Sequence, residues 1–237
     1  HDFLEYMKLD PYFRKFNHNK MTFGITYCTS ENFILVLSHD EVVHLKCSMI
    51  NKMPGEYEDK FANLKVGYTF MLGHPGKKLL FMGQDFGQFH EWDEKVSLDW
   101  YLTKEPFHAD LQNYVKGLLT LYHKYPALYR LDEEYDGFQW INANDGDRSI
   151  FSFIRRDETQ KKNLLFICNF TPVDRDDYRV GVPKRGTYTL LLDQEHGYYK
   201  RGDKISHYRS IKSECDGQPY SFAYPLQAYG TAVFRFS

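Results

Sequence analysis

No stretch of this 237-residue chain approaches the roughly 20 consecutive apolar residues that a membrane-spanning helix needs. The first residues lack the basic segment and apolar core of a secretion signal. Net charge is also scarce: at −2 it gives no electrostatic reason to expect nucleic acid or an anionic membrane as a partner. Cys28, Cys47, Cys168 and Cys215 lie far apart with no CxxC pair, so the spacing indicates neither a metal site nor a disulfide framework. Reduced thiols in a cytoplasm are the expectation, with no cofactor. Asn169-Phe170-Thr171 matches a glycosylation sequon, which without a secretion signal reads as chance. There is no internal repeat and no low-complexity tract. An initiator methionine is missing too: the chain opens on His1-Asp2-Phe3, already inside an element, and reads as a piece of something longer.

What is present is most informative at Phe33-Ile34-Leu35-Val36-Leu37-Ser38-His39-Asp40-Glu41, where five apolar residues stop abruptly in four polar ones. A run this short, with β-branched members, predicts a strand buried on both faces, as in a parallel sheet. Loops leaving the carboxyl ends of such strands are where α/β proteins and barrels build their sites. Ser and Asp also cap helices, and on this segment alone the cap reading leads. A second segment, Lys77-Lys78-Leu79-Leu80-Phe81-Met82-Gly83-Gln84-Asp85-Phe86-Gly87, repeats the plan. With a helix-length stretch between them, the two make a βαβ unit.

Helical patterns cover 2–9, a region near 21–30, and 58–72, where the apolar residues fall at mixed spacings. A strong amphipathic helix covers 110–125, with Leu111, Tyr114, Val115, Leu118, Leu119 and Tyr122 in its stripe and Pro126 closing it. From about residue 135 the grammar changes to short strands, at 138–141, 149–155, 163–169, 178–182, 186–193 and 230–236, divided by turn signals. Their partial alternation predicts an antiparallel β-sandwich facing water on one side. The expected domains are therefore 1–133 and 134–237. Aromatic residues reach 17%, a supply of flat faces for sugar rings that core packing explains for most of them. Two buried strands can neither cover one another nor close a barrel, so the first part needs completing by further strands.

Specific segments carry a family resemblance. Leu37-Ser38-His39-Asp40-Glu41-Val42-Val43-His44, Lys52-Met53-Pro54-Gly55, Phe61-Ala62-Asn63-Leu64, His74-Pro75-Gly76-Lys77-Lys78-Leu79-Leu80-Phe81-Met82-Gly83 and Phe86-Gly87-Gln88 are followed by Glu91-Trp92, Leu98-Asp99-Trp100, Gly137-Phe138-Gln139-Trp140-Ile141 and Asn169-Phe170-Thr171-Pro172-Val173. In this order they resemble the 1,4-α-glucan (glycogen or starch) branching enzymes of the α-amylase superfamily. The resemblance implies an α/β plus all-β fold: the C-terminal part of a (β/α)8 TIM barrel, with 33–37 as its seventh strand and 79–82 as its eighth, followed by the sandwich. Strands one to six would precede residue 1. These would carry the nucleophile and the acid/base of a retaining mechanism, so the chain by itself is expected to be inactive.

On the same resemblance Asp40 would stabilise the transition state at the cleaved subsite and His39 would hydrogen-bond sugar hydroxyls. An oxocarbenium-like transition state gathers positive charge, which an ionised carboxylate favours over the ground state. Gln84, Asp85, Glu91, Trp92 and Trp100 are candidates for contact with the α-glucan. Asp85 stands where the family usually has Glu, and Leu45 where it has a small residue. If the strand stays extended, Glu41 points away from Asp40 and is structural. The rival readings are a hydrolase of the same superfamily, against which the Lys52-Met53-Pro54-Gly55 and His74-Pro75-Gly76-Lys77-Lys78 segments argue, and a glucan-binding or structural fragment without turnover.

Overall fold

The computed structural model describes residues 2–30 and 32–237. Short helical segments come first: α1 (Asp2–Lys8), α2 (Pro11–Arg14) and α3 (Asn19–Thr22), the last continued by a 3-10 turn over Phe23–Tyr27. Strand β1 (Ile34–Leu37), helix α4 (Tyr57–Gly73) and strand β2 (Lys77–Leu80) form the βαβ unit. The strands run parallel, with Ile34 opposite Lys77 and Leu37 opposite Leu80.

Their burial departs from the expectation of two covered faces. Leu35, Leu37 and Leu80 pack into the core that α4 enters, whereas Ile34 and Val36 are 57% and 47% exposed and Leu79 is 36% exposed. The register puts those three on one side of a pair two strands wide, a side left partly open to solvent. The second strand also ends earlier than predicted, leaving Phe81 and Met82 in the turn that follows it.

Helix α4 begins in a capping box between Glu56 and Asp59. It is buried nearly all round from Phe61 onward, which accounts for the mixed apolar spacing of its sequence. Helix α5 (Pro106–Lys124) starts with proline at its first position and buries Leu111, Tyr114, Val115, Leu118 and Leu121. Leu119, assigned to its stripe on sequence, is instead 48% exposed, because the helix faces its neighbours with the row that includes Leu121. The buried Lys65 ammonium of α4 ties the two helices together, meeting Asp110 Oδ2 at 2.5 Å and donating to the Gln194 carbonyl at 3.2 Å.

The strand-rich part contains β3 (Phe138–Asn142), β4 (Ile150–Arg155), β5 (Asn163–Asn169), β6 (Arg175–Val182), β7 (Thr187–Asp193), β8 (Gly197–Tyr198), β9 (His207–Arg209), β10 (Tyr220–Leu226) and β11 (Thr231–Phe236). Seven of these form one sheet in the order β3-β4-β5-β11-β7-β8, with β9 also on β7, while β6 and β10 pair separately. All these pairings are antiparallel. Strand β10 carries Pro225 where its pairing with β6 shifts register between Tyr224 and Leu226, a place in a ladder that tolerates a missing N–H.

The expected water-facing side of the large sheet is not found at its centre. Every residue of β4 and β5 is buried. Phe151, Phe153, Leu164, Phe166 and Cys168 point into the core shared with α4 and α5, and the intervening Ile154, Leu165 and Ile167 point into a second core beneath β6 and β10. The helices take the place of solvent. The Phe70 ring of α4 lies 5.4 to 5.8 Å from those of Phe151, Phe153 and Phe170. The buried Arg14 guanidinium donates to the Phe170 carbonyl at 2.8 Å and to the Met7 carbonyl at 2.9 Å, tying the first helices to the end of β5.

Candidate functional site

At the carboxyl end of β1 the chain turns at once. Ser38 is extended, its hydroxyl accepts from the Asp40 N–H at 3.3 Å, and His39–Glu41 form one turn of 3-10 helix. The cap reading of this segment holds, with Ser38 capping a single 3-10 turn, and that turn carries His39 and Asp40. Since the strand does not continue, Glu41 is not held on the opposite face by extended alternation; it lines a cavity with Phe33, Ile34 and Leu37.

His39 Nε2 lies 3.2 Å from Asp40 Oδ1, and the two side chains are 51% and 72% exposed. The imidazole packs against Phe81 and Trp92, at 5.8 and 6.0 Å between ring centres, and those two rings meet edge to face at 5.1 Å. The arrangement is a carboxylate projecting into solvent beside a ring donor whose back rests on aromatic walls. It can accept hydrogen bonds from, and donate them to, a polyhydroxyl ligand, and it can oppose a developing positive charge.

The other candidates are distributed differently. Gln84 is buried beneath the strand ends, donating to the Leu37 carbonyl at 3.1 Å, and its own carbonyl accepts from the Tyr68 hydroxyl at 3.0 Å. The Asp85 carboxylate accepts from the Gln112 amide of α5 at 3.0 Å. Trp92 joins His39, as described. Trp100 is 56% exposed and leans on Phe86, at 5.5 Å, where it stands apart from the His39 and Trp92 rings.

Glu91 has both carboxylate oxygens engaged, accepting from the Leu45 N–H at 2.9 Å and the Cys47 N–H at 2.7 Å. These bonds, Cys47's first, hold its carboxyl below the usual carboxylate range. Sequence reasoning missed this clamp and the part played by Phe81, Lys46 and Lys52. The available signal was Leu45 itself, a large residue where a small one was expected. Among the described residues no group of three or more His, Cys, Asp or Glu is placed to hold a metal ion, and no helix is long and apolar enough to cross a membrane.

Comparison with known proteins agrees with this architecture. Residues 140–237 match the family described as the alpha amylase C-terminal all-beta domain. Over 241 aligned residues the chain is 54% identical to the 1,4-alpha-glucan branching enzyme of Butyrivibrio fibrisolvens, a match covering 100% of this chain and 37% of that protein. It is 46% identical to the branching enzyme of Aquifex aeolicus, covering 94% and 37%. The chain therefore spans little more than a third of these curated relatives. Among solved structures, it resembles the type I pullulanase of Bacillus subtilis complexed with maltose, with a TM-score of 0.69 and 14% identity over 96% of this chain and 32% of that one. The alpha-amylase of H. orenii gives 0.59 and 15%, over 99% and 47%. At these identities the likeness concerns the fold.

Proposed function

We propose, for a chain that belongs to the 1,4-α-glucan branching enzymes, that it is the C-terminal part of such an enzyme and supplies one wall of the active centre. The complete enzyme cleaves an α-1,4-glucan and rejoins the segment through an α-1,6 bond. In this reading β1 and β2 are the last two strands of a (β/α)8 barrel, 1–133 is the C-terminal part of the catalytic domain, and 134–237 is the sandwich that braces it. The partly open face carrying Ile34, Val36 and Leu79 is what a barrel strand lacking its neighbours would present.

The observation that carries the proposal is the exposed pair of His39 and Asp40 at the carboxyl end of a parallel strand. Placed at the cleaved sugar, the Asp40 carboxylate opposes charge developing at the anomeric carbon and His39 donates to ring hydroxyls, both bonds tightening as the ring flattens. The flanking nucleophile and acid/base come from the part of the enzyme that precedes this chain. Acting in the cytoplasm, it needs glucan and that preceding part as partners, and no cofactor.

Incubating the full-length enzyme with amylose tests the proposal. Branching lowers iodine staining with little gain in reducing ends, whereas a large gain would make the protein a hydrolase. Residues 1–237 alone are expected to give neither, and turnover by that polypeptide would refute the division of labour.

A further inference from the structure

The segment after Asp40 is held in a conformation its own residues disfavour. Leu45 and Cys47 have φ of 67° and 64°, the left-handed region that L side chains avoid. Leu45 is 83% exposed, so no packing of its side chain offsets that preference. What does hold the segment is Glu91, whose two oxygens accept one N–H from each strained residue, at 2.9 and 2.7 Å. The next residue reinforces it: the Trp92 N–H donates to the Val42 carbonyl at 2.9 Å. Lys46, between the two clamped residues, returns its ammonium to the Asp40 carbonyl at 2.7 Å. Lys52 donates to the Cys47 carbonyl at 3.0 Å and to that of Lys46.

We infer that Glu91 is a positioning residue for Asp40: its carboxylate fixes the 42–47 loop, and through Lys46 the loop fixes the turn that aims the Asp40 side chain. Each Glu91 oxygen already accepts one backbone N–H, so a glucan hydroxyl could use only the lone pairs left over and would add to the clamp without replacing it. The inference rests on the branching-enzyme reading for its effect on turnover, and on geometry alone for its effect on the loop.

Both are tested in the full-length enzyme. Glu91→Gln keeps the size of the side chain but replaces one acceptor with an amide donor facing an N–H, so one of the two bonds is lost. We expect kcat for branching to fall about tenfold to a hundredfold, the scale of a small misplacement of a reacting group, with KM for amylose little changed. Trypsin should cut after Lys46 several-fold faster. Adding Leu45→Gly and Cys47→Gly, which occupy positive φ without help, should recover most of the lost kcat. Unchanged trypsin cleavage with unchanged kcat would overturn the clamp. A raised KM with kcat intact, or a loss that the glycines do not recover, would make Glu91 a direct glucan ligand instead. An enzyme that never branches would sink the functional reading, while the trypsin comparison still decides the clamp.

Discussion

The Arg155 guanidinium, wholly buried in β4, meets Asp132 Oδ1 at 2.7 Å and also donates to the Gly73 carbonyl at 2.8 Å and the Gly137 carbonyl at 3.0 Å. One side chain thereby joins the end of α4, the start of the strand-rich part and, through the bond of Lys77 to Asp132 Oδ2 at 3.3 Å, strand β2. Burial resists ionisation of Asp132, yet the charge and hydrogen bond of Arg155 hold its carboxyl below the ordinary range. Arg155→Met should cost about 3–5 kcal/mol by stranding that carboxylate. Arg155→Met combined with Asp132→Leu should recover part of the loss, and urea unfolding of the four members of the cycle reads the coupling.

Acid should loosen the same junction. The His74 ring Nδ1 is shut off from solvent without a partner, among the rings of Phe70, Phe138, Trp140 and Phe153. Burial first, then the charges of Lys78 and Arg155, push its imidazole down to about 3. An unfolded histidine titrates near 6.5, so between those values the unfolded chain binds a proton that the folded chain refuses. Stability therefore falls as pH is lowered through that window, in step with the loss of the Asp132 contribution at its lower end. His74→Phe should flatten the upper part of this acid limb, read as unfolding midpoints at pH 7, 6, 5 and 4 by tryptophan emission.

Close approach of helix to sheet depends on Gly73. A Cβ there would lie 2.6 Å from Phe153 Cζ and 3.0 Å from Phe166 Cδ1, inside the packed core. Gly73→Ala should destabilise by about 1–3 kcal/mol through overpacking, despite the better helix propensity of alanine. Gly186→Ala, where an added Cβ meets nothing within 4 Å, is the matched control and should leave the thermal midpoint nearly unchanged.

The sequence made some of this legible and hid the rest for physical reasons. Parallel pairing of β1 with β2, the helix between them and most of the sandwich strands follow from apolar runs and their periods, which are local. Full burial of β4 and β5 is not anticipated: 164–168 is an apolar run like the one at 33–37, but the sequence reading extends the alternation of strands such as β7 to the whole sheet. It takes α4 over one face and β6 with β10 over the other to bury both. Strand β10 was lost behind Pro225, which ordinarily ends a strand and here sits at a register shift. His39 and Asp40 stand at a strand end and could be nominated from that place alone. Gln84 stands at another such end and is buried, so the position nominates residues without saying which way they face. The two hydrogen bonds that Glu91 accepts from Leu45 and Cys47 span more than 40 positions of chain and turn on backbone angles that residue type does not announce.

The pair at the strand end offers the sharpest separation of chemistry from stability. Asp40's carboxylate is 72% exposed, and its ionic neighbour among the described residues is His39 at 3.2 Å, also largely exposed, so the fold depends little on it. Asp40→Asn keeps the size of the side chain and removes the charge. In the full-length enzyme it should cut branching turnover by about a hundredfold or more, the scale of losing one group aimed at developing charge. The unfolding midpoint and the affinity for amylose should stay close to wild type. His39→Ala should cost less turnover and should weaken amylose binding as well, since a hydroxyl partner serves ground state and transition state alike. A fall in kcat and stability together for Asp40→Asn would assign the residue to the fold, and wild-type turnover would remove it from the active centre.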